Sequence, residues 1–207
     1  AQLAASLRTI EDRNVELRRA NRALRTMSMC NQSLVRTETE TELLEAVCRN
    51  MVEVGGYKLA WVGMAVDDED KTVRPVAQHG FEDGYLETGS ITWADTERGR
   101  GPTGIAIRSG KPSVAQRIDS DPNFAPWREE ALKRNYASSI ALPLKSHGRS
   151  LGALNIYASE PDAFDEGEVK LLVELADDVF SVPVKSSVLH EVVTMQLANR
   201  RAGTAAV

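Results

Sequence analysis

The first 35 residues carry their apolar side chains in a narrow seven-residue repeat and contain no glycine or proline. At alternating spacings of four and three, one seam position holds Leu, Ile, Leu, Leu and Asn, and the other holds Leu, Asn, Asn, Ser and Val. This period is typical of helices paired in a coiled coil, where Asn at the seam fixes the register and favours two helices. The alternative is one long amphipathic helix that lies on its own domain. The predicted dimer seam consists of Leu3, Leu7, Ile10, Asn14, Leu17, Asn21 and Leu24.

A short helix and a β-hairpin follow this segment. Thr39 and Glu42 predict a capping box, after which the helix continues with a buried apolar stripe. The segment 57–66 is apolar on both faces, as in a central strand, and 73–79 follows the acidic turn DDEDKT to complete a hairpin. Because Pro75 cannot donate to a neighbouring strand, it places the second strand at the edge of the sheet.

Further helices and a second hairpin complete the pattern. Pro102 suits the first turn of a helix that ends near Arg108, and PSVAQ predicts a short strand. The string SSIALPLKSHGRSLGALNIYAS predicts two strands joined at SHGRS, and Asp165 with Glu168 predicts a capped last helix. Hairpins imply antiparallel pairing, so the fold class is α+β, with one antiparallel sheet and helices on both faces. A helix before this hairpin is expected to turn inwards Phe124, Trp127, Ala131 and Leu132.

Composition narrows the class of protein. Hydrophobic residues make up 42% of the 207 residues, enough for one core, and the net charge is −5. An acidic balance argues against a general nucleic-acid binder, and no apolar run is long enough to cross a bilayer. The N-terminus lacks both a signal pattern and an initiator Met, so we expect a fragment of a cytoplasmic protein. Cys30 and Cys48 lie far apart without a CxxC motif, which argues against a disulfide framework and a structural zinc site.

No stretch of the chain carries a strong catalytic signal. GRGPTG (99–104) matches the GxGxxG string of dinucleotide-binding folds, but a Pro lies inside it and the sheet is predicted to be antiparallel. Ile105 stands where a Walker loop requires Lys. His79, His147 and His190 lack a nucleophile in a known motif. We expect no catalytic residue and no metal site, and we interpret the glycines as the turn into a helix.

The chain resembles, from about Thr39 to Val182, a GAF domain of the kind found in bacterial histidine kinases and diguanylate cyclases. The resemblance is carried by the strings GYKLAWVGMAV, WADTERGRGPTGIAIRSGKP and SSIALPLKSHGRSLGALNIYASEPDAFDEGEVKLLVELADD. The family implies a sheet of five or six antiparallel strands, with the terminal helices on one face and a small-molecule pocket on the other. The expected organisation is a signalling helix over 1–37, a GAF domain over 38–182, and a linker helix and tail over 183–207.

The resemblance also bears on the pocket and its ligand. No Cys follows Cys48, which excludes a covalent bilin, and NFAPWREE carries only part of the cyclic-nucleotide signature, which argues against that ligand. Cys30 and Cys48 lie outside the pocket loops, which disfavours the GAF-fold free methionine sulfoxide reductases. The cofactor therefore stays unknown, and a plain filled core would use the same residues as a pocket. By position, the pocket would be lined by Trp61, His79, Trp93, Ile105, Trp127, Tyr136 and Ser139.

These observations predict a non-catalytic sensory domain of a cytoplasmic signalling protein, with an unidentified small ligand or partner. It would form a parallel homodimer through its terminal helices and relay a signal to a fused output domain, a kinase or a cyclic-di-GMP enzyme. One alternative is a ligand-free dimerisation and linker module whose pocket is filled by its own side chains. A second, disfavoured alternative is a small-molecule redox enzyme of the same fold.

Overall fold

The computed structural model describes residues 2–88, 91–146 and 148–181. Short 3₁₀ turns lie at Glu97–Gly99 and Pro122–Trp127. The helices and strands, in chain order, are α1 (Gln2–Arg36), α2 (Glu40–Glu53), β1 (Leu59–Ala65), β2 (Val73–Gly80), α3 (Tyr85–Thr88), α4 (Pro102–Ser109), β3 (Ser113–Ala115), α5 (Arg128–Lys133), β4 (Ser138–Ser146), β5 (Arg149–Ala158) and α6 (Glu166–Ser181).

The strands form one sheet in the order β2-β1-β5-β4-β3, and every neighbouring pair is antiparallel. This confirms the predicted α+β class, both hairpins and the edge position of β2. The strand β5 lies in the centre, where Asn155 is opposite Trp61 on one side and Ala141 on the other. Successive side chains therefore alternate between two buried faces.

Two hydrophobic cores result, one on each face of the sheet. Helices α1, α2 and α6 cover the first face, onto which Ala60, Leu142 and Ile156 project. The second face carries Trp61, Ala153 and Tyr157 and is covered by α4, α5 and the intervening loops. We refer to these as the helix face and the aromatic face.

Local signals account for where the helices begin and end. The hydroxyl of Thr39 accepts from the backbone N–H of Glu42 at 3.3 Å and the Glu42 carboxylate accepts in return, so the predicted capping box is confirmed. Pro102 occupies the first turn of α4, and Gly110 ends that helix in the left-handed region. Among the described helices, none combines the length and apolar character that a bilayer crossing requires.

Two sequence-based expectations need correction. Leu132 is 44% exposed rather than buried, whereas Phe124, Trp127 and Ala131 are buried as expected, because α5 is a single short turn that faces inwards on one side only. Asp165 caps α6 by accepting from the backbone N–H of Glu168 at 2.9 Å. The Glu168 side chain, however, does not return to the cap and instead turns towards α1.

Helix α1 has two distinct apolar sides. From residue 19 onwards, one side packs on α2 and α6 through the buried Ala23, Thr26 and Cys30. The predicted seam lies on the other side, and its pairing with a second copy stays a prediction. The side chain of Leu3 is outside the described ones, and Asn14 and Asn21 are exposed. The apolar seam residues are exposed by 52% at Leu7, 56% at Ile10, 67% at Leu17 and 53% at Leu24.

Because Leu142 is buried and Leu132 is exposed, truncation to Ala should cost much stability at Leu142 and little at Leu132. Leu142→Ala should lower the free energy of unfolding by about 2–5 kcal/mol, because it leaves a cavity in the helix-face core. Leu132→Ala should change it by less than about 0.5 kcal/mol. Urea denaturation followed by circular dichroism measures both, and similar losses for the two variants would contradict the assignment of Leu132 to the surface.

Candidate ligand site

Five aromatic side chains pack together on the aromatic face of the sheet. The ring centroids of Tyr136 and Tyr157 are 4.8 Å apart, and Tyr85 meets these two rings edge-on at 5.4 and 5.7 Å. Phe124 meets Trp127 and Tyr157 edge-on at 5.9 and 6.4 Å. Such edge-to-face contacts add to the stabilisation that comes from the buried area alone, so the five rings form a stable cluster.

A small cavity lies between this cluster and the first turn of α4. Its volume is about 20 Å³, which is room for one water molecule and little more. Tyr85, Phe124, Trp127 and Tyr157 form its apolar wall, and Arg98 also lines it. The aromatic rings therefore fill most of the space in which a ligand would bind.

The first turn of α4 is positioned by two close contacts. The backbone of Gly101 lies against Trp127, since a Cβ at this position would be 2.4 Å from the indole ring. The hydroxyl of Thr103 donates to Asn155 Oδ1 at 2.8 Å, which ties α4 to the central strand. The unpaired N–H groups of a helix start attract negative charge, and they add to the charge of Arg98 beside the cavity.

Residues 81–86, which we name the strap, close the cavity on one side. Arg134 Nε donates to the Glu82 carbonyl at 2.9 Å and its Nη2 donates to the Asp83 carbonyl. The Tyr136 hydroxyl donates to the carbonyl of Phe81. The Arg134 guanidinium also lies 5.4 Å from the centre of the Tyr85 ring, so it holds the strap and the ring together.

Polar groups under the aromatic cluster are incompletely satisfied. Ser139 Oγ and Trp61 Nε1 are buried without a hydrogen-bond partner among the described residues. Burial raises the pKa of Tyr85 and of Tyr157, so both phenols stay protonated at neutral pH. This face can therefore donate hydrogen bonds to a ligand, and it carries no titrating phenolate.

The structure brings four of the predicted pocket residues to the aromatic face: Trp61, Trp127, Tyr136 and Ser139. Trp93 is half-buried at the margin, where its indole N–H donates to the Val66 carbonyl at 2.9 Å and Lys71 lies over its ring. Ile105 is half-buried and outside the aromatic core, in which Ile107 takes part instead.

The placement of His79 near the pocket is wrong. His79 is opposite Ala60, which projects onto the helix face, and its Nε2 lies 3.2 Å from Glu53 of α2. The whole sheet therefore separates it from the cavity. His147 and His190 lie outside the described residues. Within the described ranges, no group of three His, Cys, Asp or Glu side chains is placed to hold a metal ion.

Sequence reasoning missed Tyr85, Tyr157 and the Thr103–Asn155 pair as site residues. A usable signal existed for the strand residues, because Ala153, Asn155 and Tyr157 alternate with the apolar Leu154 and Ile156. Tyr85 belongs to a segment that looks like loop, and only the fold places it over the cluster.

Both cysteines lie on the helix face, away from the cavity. Cys30 of α1 and Cys48 of α2 are fully buried. Burial raises the pKa of each thiol to about 12, so the reactive thiolate form is scarce at neutral pH.

A family model described as GAF domain matches residues 37–181. The chain belongs to the GAF domain family. The free methionine-R-sulfoxide reductase of Neisseria meningitidis, in complex with its substrate, is similar in structure with a TM-score of 0.64 and 21% identity over 78% of this chain and 88% of that chain. A GAF domain of a phosphoenolpyruvate-protein phosphotransferase from Coxiella burnetii has a TM-score of 0.64 and 19% sequence identity, over 90% of this chain and 98% of that chain. A domain of a putative two-component sensor histidine kinase from Sinorhizobium meliloti has a TM-score of 0.53 and 19% sequence identity, over 78% of this chain and 95% of that chain.

The C-terminal segment matches a different family. A model described as ribosomal protein L4/L1 family matches residues 173–207, and therefore overlaps the GAF match within α6. The large ribosomal subunit protein uL4 of Desulfatibacillum aliphaticivorans is 66% identical over 41 residues. The match spans 20% of this chain and 20% of that relative. The predicted linker helix and tail over 183–207, including Pro183, lie outside the described residues.

The burial of both thiols predicts that they react slowly with thiol reagents in the native protein. With a pKa of about 12, only about 10⁻⁴ of each thiol is ionised at pH 8, against roughly a quarter for an ordinary cysteine. Ellman's reagent should therefore titrate both thiols rapidly only after denaturation in guanidinium chloride. Rapid reaction of either thiol in the native protein would contradict the buried placement.

Proposed function

We infer that this chain is a non-catalytic regulatory GAF domain, in which a small ligand at the aromatic cavity changes how the sheet packs against the terminal helices. The observation that supports this most is the arrangement of the two cores. The cavity lies on one face of a five-stranded sheet, and α1 and α6 lie on the other. A ligand that displaces an aromatic side chain thus acts on the sheet, whose other face is covered by the helices. The size of the resulting shift is limited by the difference in the ligand's affinity for the two packings.

The lining favours a ligand with an apolar or aromatic body and an anionic end. Tyr85, Phe124, Trp127 and Tyr157 would hold the body, while Arg98 and the start of α4 favour the negative group. The buried Ser139 hydroxyl offers a further hydrogen bond. Because the cavity holds about 20 Å³, binding requires the strap to move and Tyr85 to leave the cluster.

The exposed seam supports a homodimer as the signalling unit. Residues before 19 extend beyond the contacts with α2 and α6, and an isolated helix of this length is marginal in water. A second copy of α1 would cover the exposed leucines and set Asn14 and Asn21 against their own copies in a parallel pair. In that dimer α1 carries a change in packing towards a neighbouring output domain.

The cysteine placement argues against the redox alternative. A reductase of this fold would need reactive thiols at the cavity, and both cysteines are instead buried on the opposite face. The small cavity, on the other hand, favours the ligand-free dimerisation module as the second candidate, because the aromatic side chains already fill the space.

Native mass spectrometry of protein purified from its own cells tests the ligand. We expect an added mass that is lost on denaturation, because it is held without a covalent bond. Arg98→Gln should lose this mass, whereas Arg100→Gln should keep it, since Arg100 pairs with Asp95 and does not line the cavity. Protein that carries no added mass, and that also fails to bind anilinonaphthalene sulfonate, would favour the dimerisation module. This probe has an aromatic body and an anionic end.

The seam predicts which surface substitutions dissociate the dimer. Leu17→Lys should convert the dimer to a monomer, because it places two like charges in an apolar layer. Glu16→Lys introduces the same side chain one position away from the seam and should leave the dimer intact. Sedimentation velocity distinguishes these results, and an unchanged dimer in Leu17→Lys would exclude the seam as the interface.

A further inference from the structure

A buried charge cluster joins α1 to the start of α6. Arg22 donates to Glu168 Oε1 through Nη2 at 2.6 Å and through Nε at 3.1 Å. The Tyr57 hydroxyl donates to the same oxygen at 2.7 Å, and the guanidinium of Arg22 lies 4.6 Å from the centre of the Tyr57 ring. One turn earlier in α1, Arg19 lies 3.6 Å from Asp165, the cap of α6.

The Glu168 carboxylate depends on α1 for its charge partner. Its side chain is fully buried, and its second oxygen, Oε2, has no hydrogen-bond partner among the described residues. A buried carboxylate is tolerated only when a cation and hydrogen bonds replace the lost water. If α1 moves away, Tyr57 alone remains, so Glu168 must then reach solvent or take up a proton.

The rest of the contact between α1 and the domain is comparatively small. The fully buried α1 residues are Ala23, Thr26 and Cys30, all with short side chains, and Met27 and Leu34 are only half-buried against the same core. Helix α2 buries larger residues on the same face of the sheet, including Leu44 and Met51. Because hydrophobic stabilisation scales with buried apolar area, α1 is held by less apolar contact for its length than α2.

We propose that the Arg22–Glu168–Tyr57 cluster is a latch that holds α1 on the domain, and that its opening releases α1 while the sheet and α2 stay folded. Arg22 directly follows the seam residue Asn21, so the same turn of α1 faces the predicted partner helix and the latch. A shift of α6 on the sheet would move Glu168 and thereby loosen α1. This signalling role rests on the proposed function, whereas the latch itself requires neither ligand nor dimer.

Hydrogen exchange measured by mass spectrometry on the full chain, without ligand, tests the latch. In Arg22→Met, amide exchange in residues 19–34 should become at least about tenfold faster, while exchange in β1 and β5 stays unchanged. Arg25→Met removes an exposed arginine from the same helix and serves as the matched control, with exchange as in the parent protein. Glu168→Gln should reproduce the effect of Arg22→Met from the other side of the contact.

The double variant Arg22→Met/Glu168→Gln decides whether the two side chains act together. If they form one latch, the double variant should exchange no faster than the single variants. Additive effects, an unchanged α1, or equal acceleration throughout the domain would each overturn the proposal. Repeating the measurement in Leu17→Lys separates the latch from the dimer, because protection of residues 19–34 in a monomer must come from the domain itself.

Discussion

The alternation of side chains along a central antiparallel strand governs the architecture of this domain. In β5, Leu154 and Ile156 supply the core beneath the helices, while Ala153, Asn155 and Tyr157 supply the core around the cavity. A shift of one residue in the pairing would exchange the two sets and leave a buried amide facing leucines. The separation of the cavity from the terminal helices by one sheet therefore follows from the register of β5 between β1 and β4.

The two faces are held by different kinds of interaction. On the aromatic face, neutral rings pack together and the polar pair Thr103 with Asn155 ties α4 to the central strand. On the helix face, apolar packing holds α2 and α6, but α1 also depends on an ion pair with Glu168. Apolar packing weakens gradually with displacement, whereas a buried ion pair is either formed or costly to leave open. This difference makes α1 the element best suited to two alternative positions.

The overlap of the two family matches falls within α6. Residues 173–181 satisfy the GAF model and also the ribosomal L4 model. In this structure their apolar members Leu175, Ala176 and Val179 are buried against the sheet, in phase with Leu172 before them. An amphipathic helix needs only the correct spacing of apolar residues, so a stretch with that spacing can complete the GAF core.

Local sequence patterns were enough to predict most helices and strands of this domain. The long helix α1, the Thr39–Glu42 capping box and the two hairpins depend on neighbours within a few residues, and each is present as predicted. Four of the seven pocket residues that the GAF resemblance indicated by position lie on the aromatic face. Three features could be seen only in the folded chain: His79 lies on the helix face, Tyr85 covers the aromatic cluster, and Glu168 binds Arg22. These contacts join residues 26, 72 and 146 positions apart in the chain, and local spacing carries no information about which distant segments meet.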